Sequence, residues 1–454
     1  MTRVRAAGRR TFAALSVRNY RLFFRGQIVS VSGTWMQTVA QAWLVLSLTD
    51  SGVALGLVTA AQFLPMLLLG PWGGVLADRV DKRRFLVGTQ IAAATCAATL
   101  GILVVSDVIE VWMVAVIAVA LGVVNALDVP VRQSFVSELV GPDLVPNAVS
   151  LSSTVMHGAR IVGPALAGVL IALWGTGPCF LLNAASYGAA LVALARMRPA
   201  ELHRSEPRPR AAGQLREGLR YVWATPALRT PLLLMATIGT LTYEFGVSLP
   251  LLARYTFGTD AGGYSVMLAT MSAGAVIGGL LAAATNRASH RRLGFAAAGL
   301  GALTLSIAVA PTFPAALAVL PLLGAVSVMF ITLANATLQL TSSPEMRGRV
   351  VALYAVAFLG TTPIGGPIIG AIAERAGARA ALALGGVVAI VATMASWRSL
   401  AASEVVARRA AGVPSTPRTL DVAPRSAVRG VPGSRLEELV PQVVAGEVTS
   451  TVRA

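Results

Sequence analysis

The chain is 454 residues long, 55% hydrophobic and only 13% charged, where an average soluble domain is roughly 25% charged, so an ordinary water-soluble protein is excluded. Its 37 Lys and Arg against 20 Asp and Glu give a net charge of +17, with Lys82 the one lysine; in so apolar a chain this excess reads as a membrane-topology signal rather than a nucleic-acid surface. Cys96 and Cys179 both lie in apolar stretches, which offers neither a disulfide framework nor metal-ligand spacing.

Residues 1–25 hold seven arginines and no short apolar core followed by a small-residue cleavage site, so they read as a basic cytoplasmic tail leading into an uncleaved first span. Apolar stretches follow at about 26–47, 53–77, 85–105, 111–131, 155–174 and 178–197, then at 228–252, 264–284, 293–311, 314–340, 350–373 and 379–400. At about 20 residues per bilayer crossing, they predict twelve transmembrane helices, six in 26–197 and six in 228–400. The connection 198–227 is rich in Pro and Arg, then places Leu215, Leu219 and Val222 at helical spacing beside Arg216 and Arg220, as in a short amphipathic helix on the inner membrane surface. Residues 401–454 lack a span-length run and read as a disordered cytoplasmic tail.

With the N-terminus inside, all seven inner segments carry Arg or Lys, while four of the six outer connections carry none; Arg254, Arg375 and Arg379 are the outer exceptions. Both termini are therefore expected in the cytoplasm. Asp78-Arg79 followed by Arg83-Arg84 recurs as Asn286-Arg287 followed by Arg291-Arg292, and Gly163-Pro164 recurs as Gly366-Pro367. Two landmarks at nearly one offset point to a duplicated six-helix unit, and so to an all-α polytopic protein of two pseudo-symmetric six-helix bundles.

Polar residues inside the spans fall on helical stripes. Span one has Ser30, Thr34, Gln37 and Gln41, span four ends with Asn125 and Asp128, span seven has Thr237, Thr240, Glu244 and Ser248, and span ten has Thr332, Asn335 and Gln339. Spacings of three and four put each set on one face, turned from lipid. Arg160, within the inner end of span five, needs water, headgroups or a partner. Asp128 and Arg132 stand four apart across Pro130, close enough on a helix to pair.

The loop between spans two and three reads Gly74-Val-Leu-Ala-Asp78-Arg79-Val-Asp-Lys82-Arg83-Arg84-Phe-Leu86 and resembles the signature loop of the major facilitator superfamily, except that Asp81 stands where that family usually has glycine. Gly74 allows close helix approach, and Asp78 with Arg79, Lys82 and Arg83 can form a charged latch at an inner gate. Gly163-Pro164-Ala-Leu-Ala-Gly168 resembles the helix-packing motif of that superfamily's exporters. Together with Arg18-Asn19-Tyr20-Arg21-Leu22, Gly33-Thr-Trp35-Met-Gln37, Asn125-Ala-Leu-Asp128-Val-Pro130-Val-Arg132-Gln133 and Arg347-Gly348-Arg349-Val350, the stretch from Thr11 to Leu400 resembles the transmembrane secretion effector branch, which includes siderophore and macrolide exporters.

The resemblance implies a cell-membrane secondary transporter rather than an enzyme, with spans one, four, seven and ten lining a central cavity. Gln37, Gln41, Asn125, Thr240, Tyr243, Ser248, Asn335 and Gln339 then become candidate substrate contacts. Ala118 stands where many proton-coupled drug exporters carry an arginine, so proton coupling is expected instead at Glu244, about midway along span seven, or at Asp128. The expected partners are an amphipathic small molecule, the bilayer and protons, with no cofactor, metal or nucleic acid, and with the chain acting as a monomer. Uptake, a polytopic lipid-modifying enzyme and a passive channel are the alternatives; the enzyme reading is weakened because His157, His203 and His290 are scattered with no acid-base or ligand spacing around them.

Overall fold

The computed structural model describes residues 12–77, 79–203, 214–285 and 288–410. The first six long helices are α1 (Arg18–Thr49), α2 (Gly52–Ala77), α3 (Lys82–Val105), α4 (Val111–Val140), α5 (Val145–Trp174) and α6 (Gly177–Ala195). After the short α7 (Gln214–Ala224) come α8 (Pro226–Leu241), α9 (Phe245–Leu251), α10 (Ala261–Thr285), α11 (His290–Ala308), α12 (Phe313–Thr341), α13 (Arg347–Leu359), α14 (Thr362–Ala376) and α15 (Ala378–Ala410). Among the described residues there is no strand.

Local chemistry sets these ends. Gly175 after α5 and Gly377 after α14 take φ of 78° and 91°, a conformation open to glycine at no steric cost. Asp81, in place of the expected glycine, N-caps α3 by accepting the Arg84 N–H at 3.0 Å, and Thr312 caps α12 in the same way through the Ala315 N–H.

Ten helical segments among the described residues are long and apolar enough to cross a membrane, Pro226–Thr256 and Arg347–Ala376 each counting as one. Helix α1 and helix α11 fall outside that count. The polar stripe of α1 and the cationic start of α11 at Arg291 and Arg292 dilute their apolar runs.

Helix pairing repeats along the chain. Helix α1 packs on α5 and α6, α2 on α4, and α3 on α4 and α6. Six spans later, α8 packs on α13, α14 and α15, α10 on α12, and α11 on α12 and α15. The two sets meet through α2 against α14 and α5 against α10. The first contact is made by backbone against backbone: a Cβ on Gly52 would lie 2.7 Å from the Gly370 carbonyl oxygen, and one on Gly56 would meet the Gly366 carbonyl.

Helix α1 begins at Arg18, within the stretch 1–25 read as a tail, and α15 runs to Ala410, ten residues into the predicted tail 401–454; three further departures bear on the packing and the cavity. Helix α5 starts at Val145, ten residues before the predicted apolar run, because its polar first turns are held from outside: Asn147 Oδ1 accepts the Ala14 N–H at 2.9 Å and the Ala148 carbonyl accepts the Tyr20 hydroxyl at 2.7 Å. Span seven is two helices. The Thr242 and Tyr243 N–H groups both donate to the Ile238 carbonyl, at 2.9 and 3.0 Å, and Glu244 leaves helical geometry to cap α9. The buried Thr242 hydroxyl then donates across to the Gly385 carbonyl on α15 at 2.7 Å. Span eleven likewise breaks at Gly360 and Thr361.

Candidate substrate cavity

Where the two sets of helices diverge they enclose a cavity of about 440 Å³, within the range of small-molecule sites. Its wall runs from Leu55 and Tyr264 to Gln90, Asp128 and Arg132 at the far end of α4. Helix α1 contributes Thr34, Trp35, Thr38 and Gln41, α4 adds Asn125, and the broken seventh span adds Tyr243, Glu244 and Phe245. The Tyr243 ring meets Phe245 and Phe358 edge-on, with centroids 5.3 and 5.1 Å away, making an apolar shelf beside the charged groups.

Four charged side chains share this space, and two of them neutralise each other. Asp128 pairs with Arg132 across Pro130 (Nε to Oδ2, 3.1 Å) and also accepts the Thr89 hydroxyl at 2.6 Å and the Gln90 amide at 3.0 Å. Arg132 further donates to Gln27 Oε1 at 3.2 Å. The other two are Arg160 and Glu244. Arg160 lies over Trp35, its guanidinium carbon 4.7 Å from the ring centroid, and Glu244 is 4% exposed. Among the described residues, neither Arg160 Nε nor Glu244 Oε1 has a hydrogen-bond partner.

Asp128 thus has both carboxylate oxygens engaged. Single charge reversals, Asp128→Arg or Arg132→Asp, are expected to destabilise the purified protein by about 3–5 kcal/mol, the cost of leaving one buried charge alone. The double swap should recover only part of this, since Thr89 and Gln90 would then face a cation. Thermal melting of all three variants checks the order.

Of the sequence-predicted contacts, Gln41, Asn125 and Tyr243 line the cavity, and Gln41 donates to Gln62 Oε1 at 3.1 Å. Gln37, Thr240, Ser248, Asn335 and Gln339 do not. Gln37 accepts the Asn183 amide of α6 at 2.6 Å, the Thr240 hydroxyl bonds the Ala236 carbonyl at 2.7 Å, Ser248 is buried behind the break, and Gln339 donates to Asn335 at 2.8 Å. Stripes on spans one, four, seven and ten marked polar faces, but some of those faces bond neighbouring helices. Spans two, five, eight and eleven also reach the cavity, through Gln62, Arg160, Ser272 and Thr362. Of these, Arg160 was visible as a cation inside a span, and Gln62 is an amide in a largely apolar one that signals the same way.

The loop motif is divided. Asp78 lies outside the described residues, as does the immediate side-chain environment of Gly74; Arg79 is exposed. Lys82 forms a buried ion pair with Glu138 on α4. Arg83 donates to the Leu194 and Ala195 carbonyls at 2.8 and 3.2 Å, and Arg18 and Asn19 bond the Arg196 and Arg198 carbonyls at 3.1 and 3.0 Å. The negative end of α6 is therefore gripped by cations and an amide. In the span-five motif, a Cβ on Gly163 would lie 2.5 Å from Trp35 Cβ, and one on Gly168 would lie 2.8 Å from Ser265 Cβ on α10, with Pro164 buried between them. Gly163 thereby seats the helix carrying Arg160 against Trp35, and Gly168 joins the two halves.

A family model described as transmembrane secretion effector matches residues 9–428. The multidrug efflux pump Tap of Mycolicibacterium fortuitum is 27% identical over 77% of this chain and 88% of its own length. The staphyloferrin A transporter of Staphylococcus aureus is 31% identical, over 38% of this chain and 44% of its own, and the macrolide efflux protein A of Streptococcus pyogenes is 24% identical over 58% and 66%. Among solved structures, a bacterial homologue of the human lysosomal transporter Spinster, inward-facing and unoccupied, superposes with a TM-score of 0.65 at 16% identity over 87% of this chain and 97% of that one. A POT family transporter in complex with 5-aminolevulinic acid reaches 0.70 at 10% identity over 85% and 96%. The chain belongs to the transmembrane secretion effector family of major facilitator transporters, multi-pass proteins of the cell membrane that are not enzymes.

Proposed function

We propose that the protein exports an amphipathic small molecule by alternating access, exchanging it for protons, as a monomer of twelve spans with both termini inside. Residues 26–197 and 228–400 are the two rocking bundles, 198–227 links them along the inner surface, and Asp78 latches the inner gate in the outward-facing state. The observation that carries this reading is the cavity itself: it is about 440 Å³ in volume, sits between two sets of helices with matching pairings, and holds a carboxylate and a guanidinium with no ion-pair partner among the described residues. The efflux names carried by relatives support the outward direction.

The end bearing Asp50 is assigned to the outside. Two of the three cations there are engaged in structure: Arg254 pairs with Asp50 at 2.8 Å, and Arg379 donates to the Ala308 and Ala310 carbonyls at 3.0 and 2.6 Å, while Arg375 is exposed. The engaged two therefore count little against the inner excess of arginine.

The test is uphill movement. Inside-out vesicles bearing the protein, given an acid interior, should concentrate amphipathic fluorophores above their external level and lose them when nigericin collapses the gradient. Equilibration to equal concentrations whatever the gradient would overturn coupled export.

A further inference from the structure

The two unmatched charges of the cavity differ in sign and in what each lacks. Arg160 is short of an acceptor: its face is covered by Trp35, its Nε–H finds no acceptor, and no carboxylate among the described residues lies within ion-pair reach. A guanidinium held over an aromatic ring with an unfilled Nε–H is suited to a planar, two-oxygen anion. Glu244 is short of a cationic donor: the Thr362 hydroxyl bonds the carboxyl, but Oε1 is buried without a partner, and no Lys or Arg among the described residues lies within ion-pair reach. The two do not satisfy each other, although both line the same space.

Their backbones explain why they stay apart. Arg160 is seated by Gly163, which brings α5 against Trp35, whereas Glu244 stands at the break of span seven. There Gly365 of α14 comes so close that a Cβ on it would lie 2.9 Å from Glu244 Oε1 and would meet the Thr240 carbonyl. Each charge is held by its own half of the molecule. A single molecule spanning the cavity would therefore touch both halves at once, with its apolar body on the Tyr243, Phe245 and Phe358 shelf.

We infer that the substrate is an ampholyte, an amphipathic molecule bearing an acid group for Arg160 and an ammonium or other cationic donor for Glu244. This deepens the proposed export function and rests on it. It also fits proton exchange, because the cationic group and a proton would compete for the same carboxylate. Asp128 and Arg132 add no net charge to this selection, since they are already paired.

Three probes with one fluorophore separate the possibilities: dansylcadaverine (cation), dansylglycine (anion) and Nε-dansyl-lysine (both charges), titrated into the purified full-length protein. A charge-assisted hydrogen bond contributes enough to change affinity by about tenfold or more, so the wild type should bind Nε-dansyl-lysine at least about tenfold more tightly than either other probe. Arg160→Gln should bring it down to the level of dansylcadaverine, Glu244→Gln to that of dansylglycine, and Arg160→Lys should retain part of the preference. The inference is overturned if the wild type favours a singly charged probe, if none of the three binds, or if Arg160→Gln and Arg160→Lys weaken all three equally. These results leave the export reading to the vesicle assay, where a cation or an anion pumped uphill would uphold transport while ending the ampholyte assignment.

Discussion

Glu244→Gln is expected to abolish uphill efflux while leaving exchange of substrate across the membrane intact at saturating concentrations. A carboxylate at mid-span on an isolated helix costs about 3 kcal/mol by insertion scales unless it meets water, a proton or a partner. The described residues provide Glu244 Oε1 with no partner, so taking up and releasing a proton as access changes relieves that cost whenever the substrate's cationic group is absent. Stability makes the argument sharp. Were Glu244 one side of a structural ion pair, removing its charge would strand the other side and lower the melting temperature; as an unpaired group, its neutral isostere should leave melting unchanged or raise it. The combination expected is an unaltered or raised Tm, exchange retained, and efflux that no longer responds to pH. A Gln variant that pumps uphill with wild-type pH dependence would move the coupling elsewhere, and Asp128, with all its acceptors occupied, would be a poor replacement.

The placement of Glu244 illustrates what could and could not be read in advance. Its presence in a span, its polar stripe and the cavity role all follow from residue type and spacing. The break that aims it does not, because Leu241-Thr-Tyr-Glu244 contains no proline or glycine and looks helical. Where the helix opens, the Thr242 hydroxyl donates to the Gly385 carbonyl, in a helix more than a hundred residues away, while its N–H keeps the Ile238 carbonyl. Gln37 shows the complementary failure. A polar face turned from lipid is equally well satisfied by a cavity or by a neighbouring amide, and for Gln37 the neighbour is Asn183, whose position no local pattern reveals. The Asp128 and Arg132 pair was legible because an i,i+4 contact is local: Pro130 removes its own N–H but leaves the side-chain spacing in place. Arg160 was legible as a problem, a cation inside a span, but its answer lies on the face of Trp35 in another helix.

The contact that closes the Asp50 end combines charge with backbone packing, and magnitudes decide which one dominates. Asp50 pairs with Arg254 at 2.8 Å and accepts the Tyr255 hydroxyl, while Glu374 accepts Ser51 Oγ at 2.5 Å and the Val53 N–H at 3.0 Å. The Asp50 side chain is 67% exposed, and a pair of that kind contributes about 0–1 kcal/mol. Below it, α2 and α14 touch through Gly52, Gly56, Gly366 and Gly370, where a side chain would strike a carbonyl; overpacking such a seam costs about 1–3 kcal/mol, and more if nothing can shift. Arg254→Ala should therefore shift the balance between outward-open and outward-closed states by no more than about fivefold, with transport slowed but present. Gly56→Leu should prevent closure and stop turnover, while the protein still inserts and binds a dansyl probe from outside. A cysteine at Val58, inside the cavity wall, in a background lacking Cys96 and Cys179, reports the difference: an impermeant maleimide should label it far faster in Gly56→Leu than in Arg254→Ala. Normal transport by Gly56→Leu alongside complete loss in Arg254→Ala would make the ion pair, not the glycine seam, the gate.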